Sequence, residues 1–237
     1  MTRHAAFREQ AWPEDPAFKE LALKWGEDVS EQILDWVWRA FDTLSAGPMA
    51  RVDLTQPLEQ LERDLTNLHF IEIQRIWARD TDGFSALSPG HEIPEFESRH
   101  SSRAKPPAHD LGFVHSQNPR IAWPIEAKVV QQPSALCDYL TDVRNKFIAG
   151  KAAPFVGQAG MLGYLLAGTA REVFAGLEAA LSQRFNHPLA FATRDHRTSF
   201  HTRGTSPFGR DLPDLLLHHL VMTCFQNHRR ALAFQDN

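Results

Sequence analysis

The sequence predicts a mixed α/β domain, and three observations carry that prediction. The first third places apolar residues at three-and-four spacing, the helical period. The middle holds two runs of strand-forming residues, "DLGFVH" and "IAWPIEAKVV", joined by the turn-like "SQNPR". The rest alternates apolar segments of helical length with a further strand region. Helices, then strands, then helices, a strand region and a last helix fit a layered α/β arrangement.

Taken in order, residues 15–44 read as helical, with Phe18, Leu21, Trp25, Ile33, Trp36, Val37 and Phe41 on the apolar stripe. Asp28 followed by Glu31 reads as a cap before "QILDWVWRAF", and "SAGP" ends the pattern at 45–48. Residues 1–50 are therefore assigned to an N-terminal helical extension and 51–237 to the main domain. A second helix is expected over 57–77, with Pro57 in its first turn. A polar, turn-rich segment follows, with one short strand expected near 95–99. After the two central strands, helices are expected over 134–149, 157–167 and 170–185. "HPLAFATR" and "RTSFHTRG" read as strands, and residues 212–225 as a final helix.

Bulk properties narrow the function. Apolar residues make up 43% of the 237 and charged residues 23%, as in ordinary globular proteins. Runs such as "MLGYLLAG" are too short to span a bilayer, and the first residues contain no apolar stretch of the signal-peptide kind, so no membrane is expected. Two cysteines without CxxC spacing indicate neither a disulfide framework nor a zinc site, and point to a reducing cytoplasm. A net charge of −4 argues against a general polyanion binder and leaves only a local basic groove, for which "RHSSRAK", "RNKFIAGK" and "RDHRTSFHTR" are the candidates.

Chemistry concentrates at "WPIEAKVV". Glu126 and Lys128 stand two apart on a strand, so they share a face. Burying a carboxylate there is unfavourable unless it pairs, hydrogen-bonds or holds a metal. A hairpin would bring Asp110, on the preceding strand, within reach of the same cation. Two carboxylates, a backbone carbonyl and water suit a hard divalent ion, and Lys128 could orient a water or stabilise charge on a phosphate. Alone, Glu-x-Lys in a strand reads as a structural ion pair. Asp110 and the hairpin shift the balance towards phosphodiester chemistry.

This D-(x)15-E-x-K arrangement, Asp110 leading to Glu126, Ala127 and Lys128, resembles the PD-(D/E)XK superfamily of restriction-endonuclease-like nucleases. "LERDLTNL" is similar to the first core helix of that superfamily, and His109 stands where the family motif has proline. The resemblance implies a restriction-endonuclease-like core over about 57–203, flanked by the N-terminal extension and a C-terminal helix. It implies a metal set of Glu62 (with Asp64 as alternative), Asp110, Glu126 and the Ala127 carbonyl. Mg²⁺ is the implied ion, with Mn²⁺ as a substitute, and Asp110, Glu126 and Lys128 are the catalytic group. The implied substrate is DNA, in bacterial restriction or anti-phage defence, with room for a protein partner from the same system or a homodimer.

Around that core, Lys146, Lys151 and Gln158 are candidates to face DNA. Strand alternation puts Ser199, His201 and Arg203 on one polar face, where they could meet phosphates. Glu95 and Glu97 are further acidic candidates. The glycines at 157–168 match no nucleotide-binding motif, and "HEIPE" lacks the second histidine of a zinc protease. His218 and His219 read as core histidines. Two other classes stay open, a catalytically degenerate nuclease fold used as a binding or assembly subunit and a DNA repair or recombination nuclease.

Overall fold

Asp15 opens the first helix of the computed structural model, which describes residues 15–81, 85–94, 108–205 and 211–224. Its carboxylate accepts the Ala17 N–H at 2.9 Å, and Pro16 sits in the first turn, where its missing donor is not needed. This helix, α1 (Pro16–Ala46), runs unbroken through Asp28 and Glu31, so the cap expected there is not used. The reason is burial: Ala22, Trp25, Gly26, Ser30, Ile33 and Leu34 form one inward stripe. Gly26 lets Val156 close on that stripe, since a Cβ would lie 3.2 Å from the valine Cβ.

A 3₁₀ turn (Pro48–Arg51) leads to α2 (Leu58–Thr81). Then come β1 (Leu87–Pro94), β2 (Ala108–His115) and β3 (Asn118–Val130). A short helix, α3 (Cys137–Asp142), continues as a π-helical turn over Val143–Ile148. β4 (Gln158–Leu165), α4 (Ala170–Leu181), β5 (His196–His201) and β6 (Leu215–Thr223) complete the described order. The strand expected near 95–99, with Glu95 and Glu97, lies outside the described residues.

The six strands form one mixed sheet in the order β1-β2-β3-β4-β6-β5. β1, β2 and β3 are an antiparallel meander, β3–β4 and β4–β6 are parallel, and β5 closes antiparallel on β6. With four α-helices among the described residues, the molecule is a mixed α/β fold. Trp123 donates to Ser30 on α1, and Tyr164 meets His69 on α2, so these helices cover one sheet face. Tyr139 of α3 reaches Met161 and His219, and Arg197 of β5 stacks on Phe174 of α4, on the other face. Among the described residues, no helix is long and apolar enough to cross a membrane.

Two expected helices are strands. Residues 157–167 contain β4, and 212–225 contain β6, so the C-terminal helix is replaced by a sheet strand within the described residues. β4 is buried along nearly its whole length, with a neighbour on each side and helices on both faces. Such a strand reads as a continuous apolar run without alternation, which period alone cannot separate from a buried helix. "HPLAFATR" is not a strand either. It forms a 3₁₀ turn at Leu189–Phe191, with Leu189 92% exposed.

Candidate active site at a fork in the sheet

β2 pairs with β3 only as far as Leu111↔Ile125. Beyond that point β2 stays with β1, at His109↔Ile93 and Ala108↔Pro94, while β3 stays with β4, from Ile125↔Gly160 to Val130↔Leu165. The sheet therefore forks, and Asp110 and Glu126 are the first residues past the branch. A strand residue sends its N–H and C=O to the same side, and at Ala127 that side no longer has a strand beside it. The Asp110 carboxylate accepts the Ala127 N–H at 2.8 Å, and Lys128 Nζ donates to the Ala127 carbonyl at 2.7 Å.

Glu126 is fully buried, facing the α3 side with Lys128. Its Oε1 accepts from His109 Nδ1 at 2.9 Å and its Oε2 from Lys146 Nζ at 2.7 Å. Lys146 also meets Asp142 Oδ2 at 3.0 Å, and Asp142 lies 3.4 Å from Lys128 Nζ. Lys128 donates to Glu62 Oε1 at 2.8 Å and stands 3.9 Å from Asp110 Oδ2, while Glu62 Oε2 accepts the Val129 N–H at 3.4 Å. Four carboxylates, Glu62, Asp110, Glu126 and Asp142, thus share two lysine ammonium groups.

The electrostatics follow from that ratio. Burial, joined by the neighbouring Glu126 carboxylate, pushes the Asp110 carboxyl up to about 7 against the pull of Lys128. Burial also works against ionisation of Glu126, but His109 and Lys146 outweigh it and hold that carboxyl below its ordinary value. Burial would lower both lysines. For Lys128 it is outweighed by Asp110 and Glu62, and for Lys146 by Glu126 and Asp142, so both ammoniums are raised.

The sequence-derived candidates separate into two groups. Glu62, Asp110, Glu126, Ala127 and Lys128 come together. Lys146 joins them, facing inward to Glu126 rather than out to solvent. Gln158 stands in a strand, not a helix, and its Oε1 is 2.9 Å from His218 Nε2. His201 Nε2 meets Ser199 Oγ at 2.7 Å, and the same hydroxyl meets His219 Nε2 at 2.7 Å. Arg203 lies past the end of β5, only 5% exposed. Its guanidinium donates to the carbonyls of Pro213, Phe147, Ala152, Ala153 and Val156. All five N–H donors are engaged, so the phosphate contact expected of Arg203 has no donor left to make it. Asp64 is held by the amides of Gln56 and Gln60, apart from Glu62. Asp142 was not singled out from the sequence. Its one signal is the i,i+4 spacing to Lys146.

As a seat for a hard divalent ion, the donor set is chemically suitable, since its groups are carboxylate and carbonyl oxygens in excess over local positive charge. Among the described residues, no group of three or more His, Cys, Asp or Glu side chains is arranged as a ready-made metal site. Glu126 Oε2 and the Ala127 carbonyl already carry ammonium partners. The residues fit the ion in kind and charge, with ammonium groups to be exchanged. Comparisons with protein-family models, with curated proteins and with solved structures return no match for this chain.

Proposed function

We propose that the protein is a metal-dependent phosphodiesterase with a restriction-endonuclease-like core, hydrolysing DNA. The observation that carries this reading is the convergence of Asp110, Glu126 and Lys128 at one fork in the sheet, from two strands and without help from loops. The element order α2-β1-β2-β3-α3-β4, with β3 and β4 parallel, supports the same core. Restriction or anti-phage defence is the setting that the sequence resemblance implies, and a protein partner or a second copy of the chain belongs to the same proposal.

Asp110, Glu126 and the Ala127 carbonyl would hold Mg²⁺ or Mn²⁺, with Glu62 as the helix carboxylate beside them. When bound, such an ion supplies a deprotonated water and neutralises charge on the scissile phosphate. Lys128 is fixed by Glu62 and Asp142, so its ammonium is oriented before substrate arrives. There it stabilises negative charge developing on the phosphate oxygens. His109 fixes the Glu126 carboxylate from behind.

The test is cleavage of linear and supercoiled DNA by purified protein with Mg²⁺ or Mn²⁺, against an EDTA control and the variants Asp110→Asn and Glu126→Gln. Activity should depend on the ion and vanish in both variants, with far-UV circular dichroism unchanged. Hydrolysis that persists in EDTA refutes the proposal. A second reading, a nuclease fold retained as an assembly subunit, is favoured by one observation: both Glu126 oxygens already have partners within the protein. A folded chain that binds no Mn²⁺ would select it.

A further inference from the structure

We propose that Lys146 is a tethered cation that competes with a divalent ion for Glu126, so that the site loads only when its ammonium is displaced. The inference rests on the phosphodiesterase reading above and concerns what sets the metal requirement of that same site.

Lys146 Nζ lies 2.7 Å from Glu126 Oε2 and 3.0 Å from Asp142 Oδ2, so it bridges two carboxylates as a metal ion would. The other Glu126 oxygen is taken by His109. Both oxygens of this buried carboxylate already carry a partner, so an ion that takes either one competes with His109 or Lys146.

Of the two lysines, Lys146 is the one built to leave. Lys128 is carried on β3, is 16% exposed and holds Glu62 and the Ala127 carbonyl as well as lying near Asp142. Releasing it would also break its bond to Glu62 Oε1 and part it from Asp142. Lys146 is 35% exposed, its ammonium pairs among the described residues with the Glu126 and Asp142 carboxylates, and it sits in the π-helical turn Val143–Ile148. A turn with one residue more than an α-helical turn is a short, irregular piece of backbone, and such turns recur where a side chain must be aimed. Here it aims Lys146 across the helix end at a strand residue. The turn closes through Ala149 N–H to the Arg144 carbonyl and Ala152 N–H to the Lys146 carbonyl, neither of which involves the side chain. The ammonium can therefore swing out while the backbone stays closed. An arriving divalent ion replaces one positive charge by two among four carboxylates, which favours the exchange.

The experiment is Mn²⁺ titration of the full chain without DNA, by calorimetry and by electron paramagnetic resonance of free Mn²⁺, for wild type, Lys146→Met and Lys146→Arg. Lys146→Met should bind Mn²⁺ about tenfold more tightly than wild type, the size of an ordinary coupling between competing ligands. Lys146→Arg, which keeps the charge, should stay near wild type. The rise in melting temperature with Mn²⁺ should also be larger for Lys146→Met, whose Glu126 lacks its counter-ion until the ion binds. Should Lys146→Met fail to fold, Lys146→Gln keeps a donor towards Glu126 without the charge and carries the same expectation. Equal or weaker binding in the uncharged variants overturns the proposal while leaving the metal site in place. Absence of Mn²⁺ binding in wild type and folded Lys146→Met alike overturns the metal reading itself.

Discussion

Replacing Arg203 by methionine should destabilise the protein strongly. The side chain ties together three stretches of backbone: the π-helical turn through Phe147, the connector through Ala152, Ala153 and Val156, and the approach to β6 through Pro213. Burial pulls its guanidinium down to about 10 against the opposing influence of Asp214, so it remains charged at neutral pH. Methionine fills similar volume but donates nothing, leaving five carbonyls in need of new partners. Each buried carbonyl left unpaired costs about 1–3 kcal/mol. Water entry and loop relaxation recover part of that, and removing one partner of a buried charged network typically costs about 3–5 kcal/mol. A loss of about 4 kcal/mol corresponds to a fall in melting temperature of about 8–16 °C for a chain of this size. Thermal and urea unfolding followed by circular dichroism measure it. Arg203→Lys should lose most of the same stability, because an ammonium cannot span five carbonyls. A loss below about 1 kcal/mol would refute the structural role. If Arg203→Met then melted like wild type but bound DNA less well, the phosphate contact expected from strand alternation would be restored.

Four further outcomes rest on named features. Burial holds His69 and His218 at about 4, below the ordinary 6.5, so the unfolded chain binds protons that the folded chain refuses. The contribution of these two histidines should be complete above pH 6.5 and fall between pH 6.5 and 4 by about 1.4 kcal/mol per pH unit each. It is partly offset by the raised Asp110 carboxyl, which takes up a proton on folding below pH 7, and a urea midpoint that stays flat from pH 7 to 5 would contradict this. Gly150 has φ +70°, and a Cβ there would lie 2.1 Å from a Leu212 methyl carbon, so Gly150→Ala should cost about 1–3 kcal/mol in chemical denaturation. Gly47→Ala, with nothing within 4 Å of its Cβ, should be near neutral in the same assay. Lys128→Ala should abolish DNA cleavage while Mn²⁺ still binds, because lysine is not a ligand; near wild-type turnover would remove it from the proposed mechanism.

What could be read in the sequence divides along physical lines. α1 and α2 have one buried stripe each, and β2 and β3 are joined by a short link, so period and turn chemistry expose them. β4 and β6 are covered on both faces, which erases the alternation that marks a strand. Asp110, Glu126 and Lys128 were visible as a spacing, but the fork that brings them together depends on which neighbour each strand follows. The inward aim of Lys146 depends on a π-helical turn that its i,i+4 spacing to Asp142 does not encode. For Arg203 the parity argument assumed an extended strand, whereas β5 ends at His201 and the chain turns away before the arginine.

The fork also leaves one backbone amide in an unusual position. Within a sheet, a buried N–H exchanges its proton for deuterium only when neighbouring strands separate. The Ala127 N–H is held by the Asp110 side chain instead, at the branch where β2 and β3 have already parted. Its lifetime in heavy water therefore depends also on one carboxylate's rotation and charge, while the amides around it record the opening of the whole sheet. A ligand that recruits Asp110 would shorten that lifetime and leave its neighbours unchanged, so a single resonance can follow occupancy of the site without any turnover at all.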